Sequence, residues 1–167
     1  VFAALARPFV AVLLGGSNGR YRFGAGEARA LAGQLAAVIR EGAGVAITPS
    51  RRTGAEAVGI LREALAPLGA WVWDGQGENP YFGMLGLADA VIVTADSVSM
   101  VSEAVATSAP VYLVRLPGRS SRIGAFMDMM AADGRVRDFA GRLDLWDCAP
   151  MDDTPAAGDA LRRLMGD

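Results

Sequence analysis

Asp89-Ala90-Val91-Ile92-Val93-Thr94-Ala95-Asp96-Ser97-Val98-Ser99-Met100-Val101-Ser102-Glu103-Ala104, continued by Val105 to Ala109 and by Pro110-Val111-Tyr112-Leu113-Val114, decides how this chain is read. A short β-branched run, a polar break with capping residues, about ten helix-compatible residues and a second β-rich run make one strand-helix-strand unit. Such a unit is a parallel crossover. In open α/β sheets the ligand sits above the edge where the strand's carboxyl end meets the helix start, which here places Thr94, Ala95, Asp96 and Ser97 at that edge. Asp96 or Ser97 suits the helix cap. Helical spacing sets Ser99 and Glu103 on one face and Val101 and Val105 on another, the second turned to the sheet. The same residues also read as a cap followed by a solvated Ser/Glu face, and the rest of the chain has to decide between the two.

Working back toward the amino terminus, Phe9 to Leu14 is an apolar strand that runs into Gly15-Gly16-Ser17-Asn18-Gly19-Arg20. Three glycines in five residues allow backbone amides to approach an anion, and they equally mark a plain turn. The string matches the G-x-S-x-G nucleophile elbow formally, but the chain has no histidine to serve it. It is not G-x-G-x-x-G, and the following helix is expected only from Glu27 to Glu41, ended by Gly42 and Gly44. Val45 to Thr48 is the second strand. It closes on Pro49-Ser50-Arg51-Arg52-Thr53-Gly54, where Thr53 is a candidate cap for a helix reaching about Ala66 and the two arginines form either an anion site or solvated charge.

Ala70 to Trp73 is the third strand, followed by a loop to Asn79-Pro80 and a short helix, Tyr81 to Ala88, with Phe82, Met84 and Leu85 expected inward. Asn79 and Tyr81 can line a flat ligand or form a core edge. Beyond Val114, Arg119 and Arg122 add charge to a loop ahead of a helix from Ile123 to Ala132. Val136 to Phe139 with Leu143 to Trp146 forms an edge-like stretch. An acidic Asp152-Asp153-Thr154-Pro155 precedes a final amphipathic helix carrying Leu161, Leu164 and Met165.

Composition narrows the chemistry. The 167 residues carry a net charge of −2, and all 16 basic residues are arginine, so no lysine serves a Walker loop or Schiff base and no imidazole serves a triad or metal. No basic excess exists for a nucleic-acid surface. The lone cysteine, Cys148, forms no internal disulfide, and a cytoplasmic protein, able to sit peripherally at a membrane surface, is the expectation. No apolar run of membrane-spanning length occurs, so no transmembrane segment is expected. Beginning at Val1, the chain reads as an excised or processed piece. The expected fold is a single α/β domain over 1–167, a Rossmann-like, doubly wound, mostly parallel sheet of five to six strands with helices on both faces.

Gly15-Gly16-Ser17-Asn18-Gly19, Ser50-Arg51-Arg52-Thr53, Asn79-Pro80-Tyr81 and the long string from Thr94 to Ala104 resemble the bacterial relatives of the mitochondrial fission family named for elongated mitochondria. Members of that family are longer, and this chain looks like their carboxyl-terminal half. The family is similar in turn to two-lobed GT-B glycosyltransferases, whose second lobe holds a nucleotide-sugar donor. The resemblance implies that Gly16, Ser17 and Asn18 meet a diphosphate, that Arg51 and Arg52 help neutralise it, that Ser97 and Ser99 add phosphate contacts, and that Glu103 takes the ribose hydroxyls. The full candidate binding set is Gly15, Gly16, Ser17, Asn18, Gly19, Arg20, Arg51, Arg52, Thr53, Asn79, Tyr81, Asp96, Ser97, Ser99, Met100 and Glu103. No catalytic residue is assigned and no resident cofactor or metal is expected. The expected partners are a small nucleotide ligand, with a nucleoside-diphosphate sugar as donor substrate, and the missing amino-terminal lobe. Plant members recruit a dynamin-related protein, so a non-enzymatic adaptor is a second expectation. An NADP-linked oxidoreductase or sugar epimerase is a third, with Ser50-Arg51-Arg52 reading a 2′-phosphate.

Overall fold

A computed structural model describes residues 2–151. Six strands form one wholly parallel sheet in the order β3-β2-β1-β4-β5-β6. They are β1 (Phe9–Leu14), β2 (Gly44–Pro49), β3 (Trp71–Val72), β4 (Ala90–Thr94), β5 (Val111–Val114) and β6 (Val136–Asp138), and five helices connect them: α1 (Ala25–Arg40), α2 (Ala55–Leu65), α3 (Tyr81–Leu87), α4 (Val98–Val105) and α5 (Ser121–Ala132). The expected Rossmann-like fold is the observed one. The acidic segment from Asp152 and the helix expected around Leu161, Leu164 and Met165 lie outside the described residues.

The centre of the sheet explains the unbroken apolar runs. β1 is covered on both faces, so all six of its residues are buried. Val10, Val12 and Leu14 face α1 and α2, in a core with Leu31, Leu35, Leu61 and Leu65. Phe9, Ala11 and Leu13 face the opposite side with Met84, Val101, Val105, Met127 and Met130 of α3, α4 and α5. A strand buried on both faces cannot alternate polar with apolar, which is why period-two patterning is absent here. Val101 and Val105 turn to the sheet as their helical spacing requires.

Several local expectations need correction. Helix α1 begins at Ala25, two residues early, because the Glu27 carboxylate reaches back to the Gly24 amide at 2.8 Å, the glutamate half of a capping box in which the glycine at the cap has no side chain to return the bond. That amide, chiefly, holds the Glu27 carboxyl below its usual range. Gly42, with φ of 103°, does end α1, whereas Gly44 opens β2 because a side chain there would run into the backbone of Ala6. Phe82 points outward and is 74% exposed, while Met84 and Leu85 pack inward as expected. Leu143 to Trp146 is not a strand. It folds back over β5, where the Tyr112 hydroxyl donates to the Asp144 carbonyl at 2.5 Å and accepts from the Asp144 amide at 2.7 Å, with the Trp146 ring edge-on to Tyr112.

The start of the two central strands is pinned by one carboxylate. Asp89 accepts from the Phe9 amide at 2.6 Å and from the Arg7 guanidinium at 2.7 Å. Partial burial works against its charge, but these two donors outweigh it and hold the carboxyl below its ordinary range. A depressed folded-state pKa stabilises the fold above the unfolded-state pKa, and that contribution is lost as pH falls through the folded value. Asp89→Asn should therefore lower the melting temperature at neutral pH by a few degrees, and the difference from wild type should shrink in scans stepped toward pH 3.

Candidate functional site

Because β1 continues to β2 on one side and is flanked by β4 on the other, the connections from its neighbours diverge at its carboxyl end. In this chain that switch point is filled by the protein itself. The Gly15 amide donates to Thr94 Oγ1 at 2.7 Å, and the Gly16 amide donates to Asp96 Oδ2 at 3.1 Å. Arg52 Nη2 donates to the same oxygen at 3.3 Å. Ser50 Oγ donates to the Gly15 carbonyl at 2.9 Å, and Thr53 Oγ1 donates to that carbonyl as well. Five side chains and two glycine amides thus tie the loops after β1, β2 and β4 into one knot.

Of the two residues suited to the α4 cap, Ser97 takes it and Asp96 is drawn into the knot, whereas Thr53, the candidate cap of α2, does not cap a helix. Ser97 caps α4, accepting from the Met100 amide, and Gly54 stands at the α2 cap without a side-chain bond. The Asp96 side chain is fully buried, which a carboxylate tolerates only with charged or amide donors, and its Oδ1 has no partner among the described residues. Gly15 and Gly16 are required for close approach: a Cβ on Gly15 would run into the Asp96 carboxylate, and one on Gly16 into the Arg52 carbonyl. The Gly16 amide and Arg52, expected to face a ligand's diphosphate, both face Asp96.

The rest of the glycine-rich loop folds on itself. Ser17 Oγ accepts from the Phe23 amide at 2.9 Å, and Asn18 Oδ1 accepts from the amides of Arg20 and Tyr21, both at 2.9 Å. Gly19 is open to solvent with nothing near a Cβ position. Arg20 leaves this loop toward Ser120, with Nη1 3.4 Å from its hydroxyl.

An open cleft of about 480 Å³ lies beside the knot, over the ends of β1, β2 and β3. Arg51, Asn79, Tyr81 and Met100 line it together with Thr48 and Trp73. Asn79 Oδ1 accepts from the Tyr81 amide at 3.0 Å, fixing the entry to α3. The Tyr81 hydroxyl donates to the Glu103 carboxylate, joining α3 to the exposed face of α4. Burial first, and the adjacent carboxylate second, push the Tyr81 phenol well above its ordinary pKa, so it stays a donor at neutral pH. Ser97 and Ser99 hydroxyls lie 3.1 Å apart at the start of α4.

The sixteen sequence candidates therefore separate. Arg51, Asn79, Tyr81 and Met100 meet in one cleft with Glu103 attached through Tyr81; Gly15, Gly16, Arg52, Thr53 and Asp96 make the knot; Ser17, Asn18, Gly19 and Arg20 form the outer loop; Ser97 and Ser99 stand together at the start of α4, outside the cleft lining. Ser17 does not line the cleft. Thr94, placed at this edge by the sequence but not in the binding set, proves part of the knot, and Trp73 was missed as a cleft residue: the small-large alternation of Ala70 to Trp73 gave no signal for it.

The knot yields a stability contrast. Gly16→Ala has to push back the Arg52 main chain and should destabilise the fold by about 1–3 kcal/mol in urea titration, whereas Gly19→Ala, which meets nothing, should stay within about 0.5 kcal/mol of wild type.

A family model described as Mitochondrial fission ELM1 matches residues 1–165. The Mitochondrial fission protein ELM1 of Arabidopsis thaliana is 37% identical over 166 residues, covering 97% of this chain and 39% of that protein. The chain thus spans well under half the length of this curated relative. Among solved structures, a truncated form of 3-deoxy-D-arabino-heptulosonate 7-phosphate synthase from Thermotoga maritima matches at 18% identity over 79% of this chain and 51% of that one, with a TM-score of 0.28, too low to carry an argument. No helix among the described residues is long and apolar enough to cross a membrane. On the family match over nearly its whole length and on the identity to the plant protein, the chain belongs to the mitochondrial fission ELM1 family.

Proposed function

We propose that this chain is the nucleoside-diphosphate-binding lobe of a glycosyltransferase-like protein, with its ligand at the carboxyl edge of the sheet. The observation that carries the reading is the Tyr81–Glu103 pair on the rim of the Arg51 cleft. A carboxylate fixed by a phenol O–H keeps further acceptor positions for vicinal hydroxyls, which is the chemistry of ribose recognition. Tyr81 and Trp73 supply flat apolar surface for a base, and Arg51 supplies an unpaired guanidinium among the described residues for phosphate. With Gly16 and Arg52 committed to Asp96, diphosphate charge falls to Arg51 in the cleft and to the Ser97 and Ser99 hydroxyls at the start of α4.

In a sugar transfer such groups would stabilise charge developing on the departing phosphates. A general base would come from the amino-terminal lobe, so this chain alone should bind without turnover.

An adaptor role is the second reading. Phe82 and Leu87, at the two ends of α3, stand 74% and 50% exposed, apolar side chains available for protein contact.

Calorimetric titration with UDP, GDP, ADP and CMP separates the two. The nucleotide reading expects saturable binding of at least one, and Glu103→Ala should weaken that nucleotide about tenfold or more while leaving inorganic pyrophosphate within about twofold, because only the nucleotide presents ribose. No heat at millimolar nucleotide, or equal losses for nucleotide and pyrophosphate, removes Glu103 from ribose and favours the adaptor.

A further inference from the structure

We propose that the cleft between the loops following β1 and β5 is a second anion site, built to hold a phosphate group and separate from the Arg51 cleft. Arg20, Arg119, Ser120, Ser121 and Arg122 line about 400 Å³ there, and no acidic residue does. Among the described residues none of these three arginines is in an ion pair, although Arg7, Arg22, Arg52, Arg115 and Arg142 each have a carboxylate partner. Three guanidinium groups gathered without a counter-charge repel one another, and a bound anion reverses the sign of that interaction.

The gathering is fixed by main chain. Tyr21 and Gly118 form an antiparallel bridge, the Arg22 amide donates to the Pro117 carbonyl at 2.8 Å, and the Arg119 amide donates to the Arg20 carbonyl at 3.0 Å. Gly118 has φ of 141°, and a Cβ there would run into that same Arg20 carbonyl, so only glycine lets the two basic loops lie together. Arg20 then reaches the Ser120 hydroxyl at 3.4 Å. Residues about a hundred positions apart in sequence are thereby aimed into one cleft.

Guanidinium forks and serine hydroxyls match phosphate oxygens, and three positive charges suit a phosphomonoester dianion better than a single carboxylate. The site shares no lining residue with the Arg51 cleft. Along the order β3-β2-β1-β4-β5 the Arg51 cleft lies over the ends of β1, β2 and β3, and the basic cleft draws on the loops after β1 and β5, so β1 is the strand the two have in common. The phosphate is therefore either the far end of a nucleotide laid along the sheet edge or a group on a second molecule, and the site does not rest on the nucleotide reading.

The test is an amide-resolved NMR titration of the chain with inorganic phosphate at low ionic strength. Saturable shifts at Arg20, Arg119 and Ser120 to Arg122 are expected, with affinity falling as salt is added. Arg119→Gln/Arg122→Gln should bind phosphate about tenfold or more weakly, and so should Arg20→Gln, an independent check should the double variant fold poorly; Glu103→Ala should bind as wild type does. Repeating the titration with UDP identifies the source: displacement of phosphate assigns the cleft to the nucleotide's own phosphates, and joint occupancy assigns it to a second phosphorylated molecule. Absence of saturable shifts in this cleft, or undiminished phosphate affinity in the folded arginine variants, overturns the proposal. Inorganic phosphate alone decides between these outcomes, so the cleft is tested equally well whether or not UDP binds.

Discussion

The buried carboxylate of Asp96 is the constraint on which the carboxyl edge of the sheet depends. It stands where the loops after β1, β2 and β4 converge, and the Gly16 amide and Arg52 donate to it there. The two glycines, the paired serine and threonine of the β2 loop and Thr94 are consequences of the same packing, since each lets a loop approach its neighbour or satisfies a main-chain group exposed by that approach. An anion is thus built into a switch point that in dinucleotide-binding relatives of the fold receives a ligand's phosphate. Arg51, Arg20, Arg119 and Arg122, none of them in an ion pair among the described residues, line clefts to either side, over β1, β2 and β3 and next to β5.

Much of the fold was legible because parallel strands buried on both faces write themselves as short β-branched runs: Phe9 to Leu14, Val45 to Thr48, Ala90 to Thr94 and Val111 to Val114 needed little more than hydropathy and the turn residues between them. The helices with long apolar periodicity followed for the same reason. Legibility failed where one residue type serves two ends. Aspartate and threonine are good caps, so Asp96 and Thr53 read as caps, yet local sequence carries no record that Gly16 and Arg52 arrive from other loops to take the carboxylate. Phe82 read as core because aromatic residues usually are, but α3 packs on β1 through Met84 and Leu85, which leaves Phe82 turned outward.

The candidate site was legible in parts. Arg51, Asn79, Tyr81, Met100 and Glu103 do collect around one rim, whereas the glycine loop directs its polar groups mostly into itself and into Asp96. A glycine-rich string reports close approach without saying what approaches; here the neighbour is another stretch of the same backbone. The three-arginine cleft was visible in sequence only as scattered charge, since it exists through the Tyr21–Gly118 pairing and that pairing has no periodic signature.

The central claim is that the Tyr81–Glu103 rim recognises the ribose of a nucleoside diphosphate. The most direct measurement is a crystal structure of the chain grown with whichever of UDP, GDP or ADP it binds. Ribose hydroxyls are expected within hydrogen-bonding distance of Glu103, with the base against Tyr81 or Trp73. A nucleotide ordered elsewhere on the molecule, with Glu103 touching only Tyr81, would contradict it.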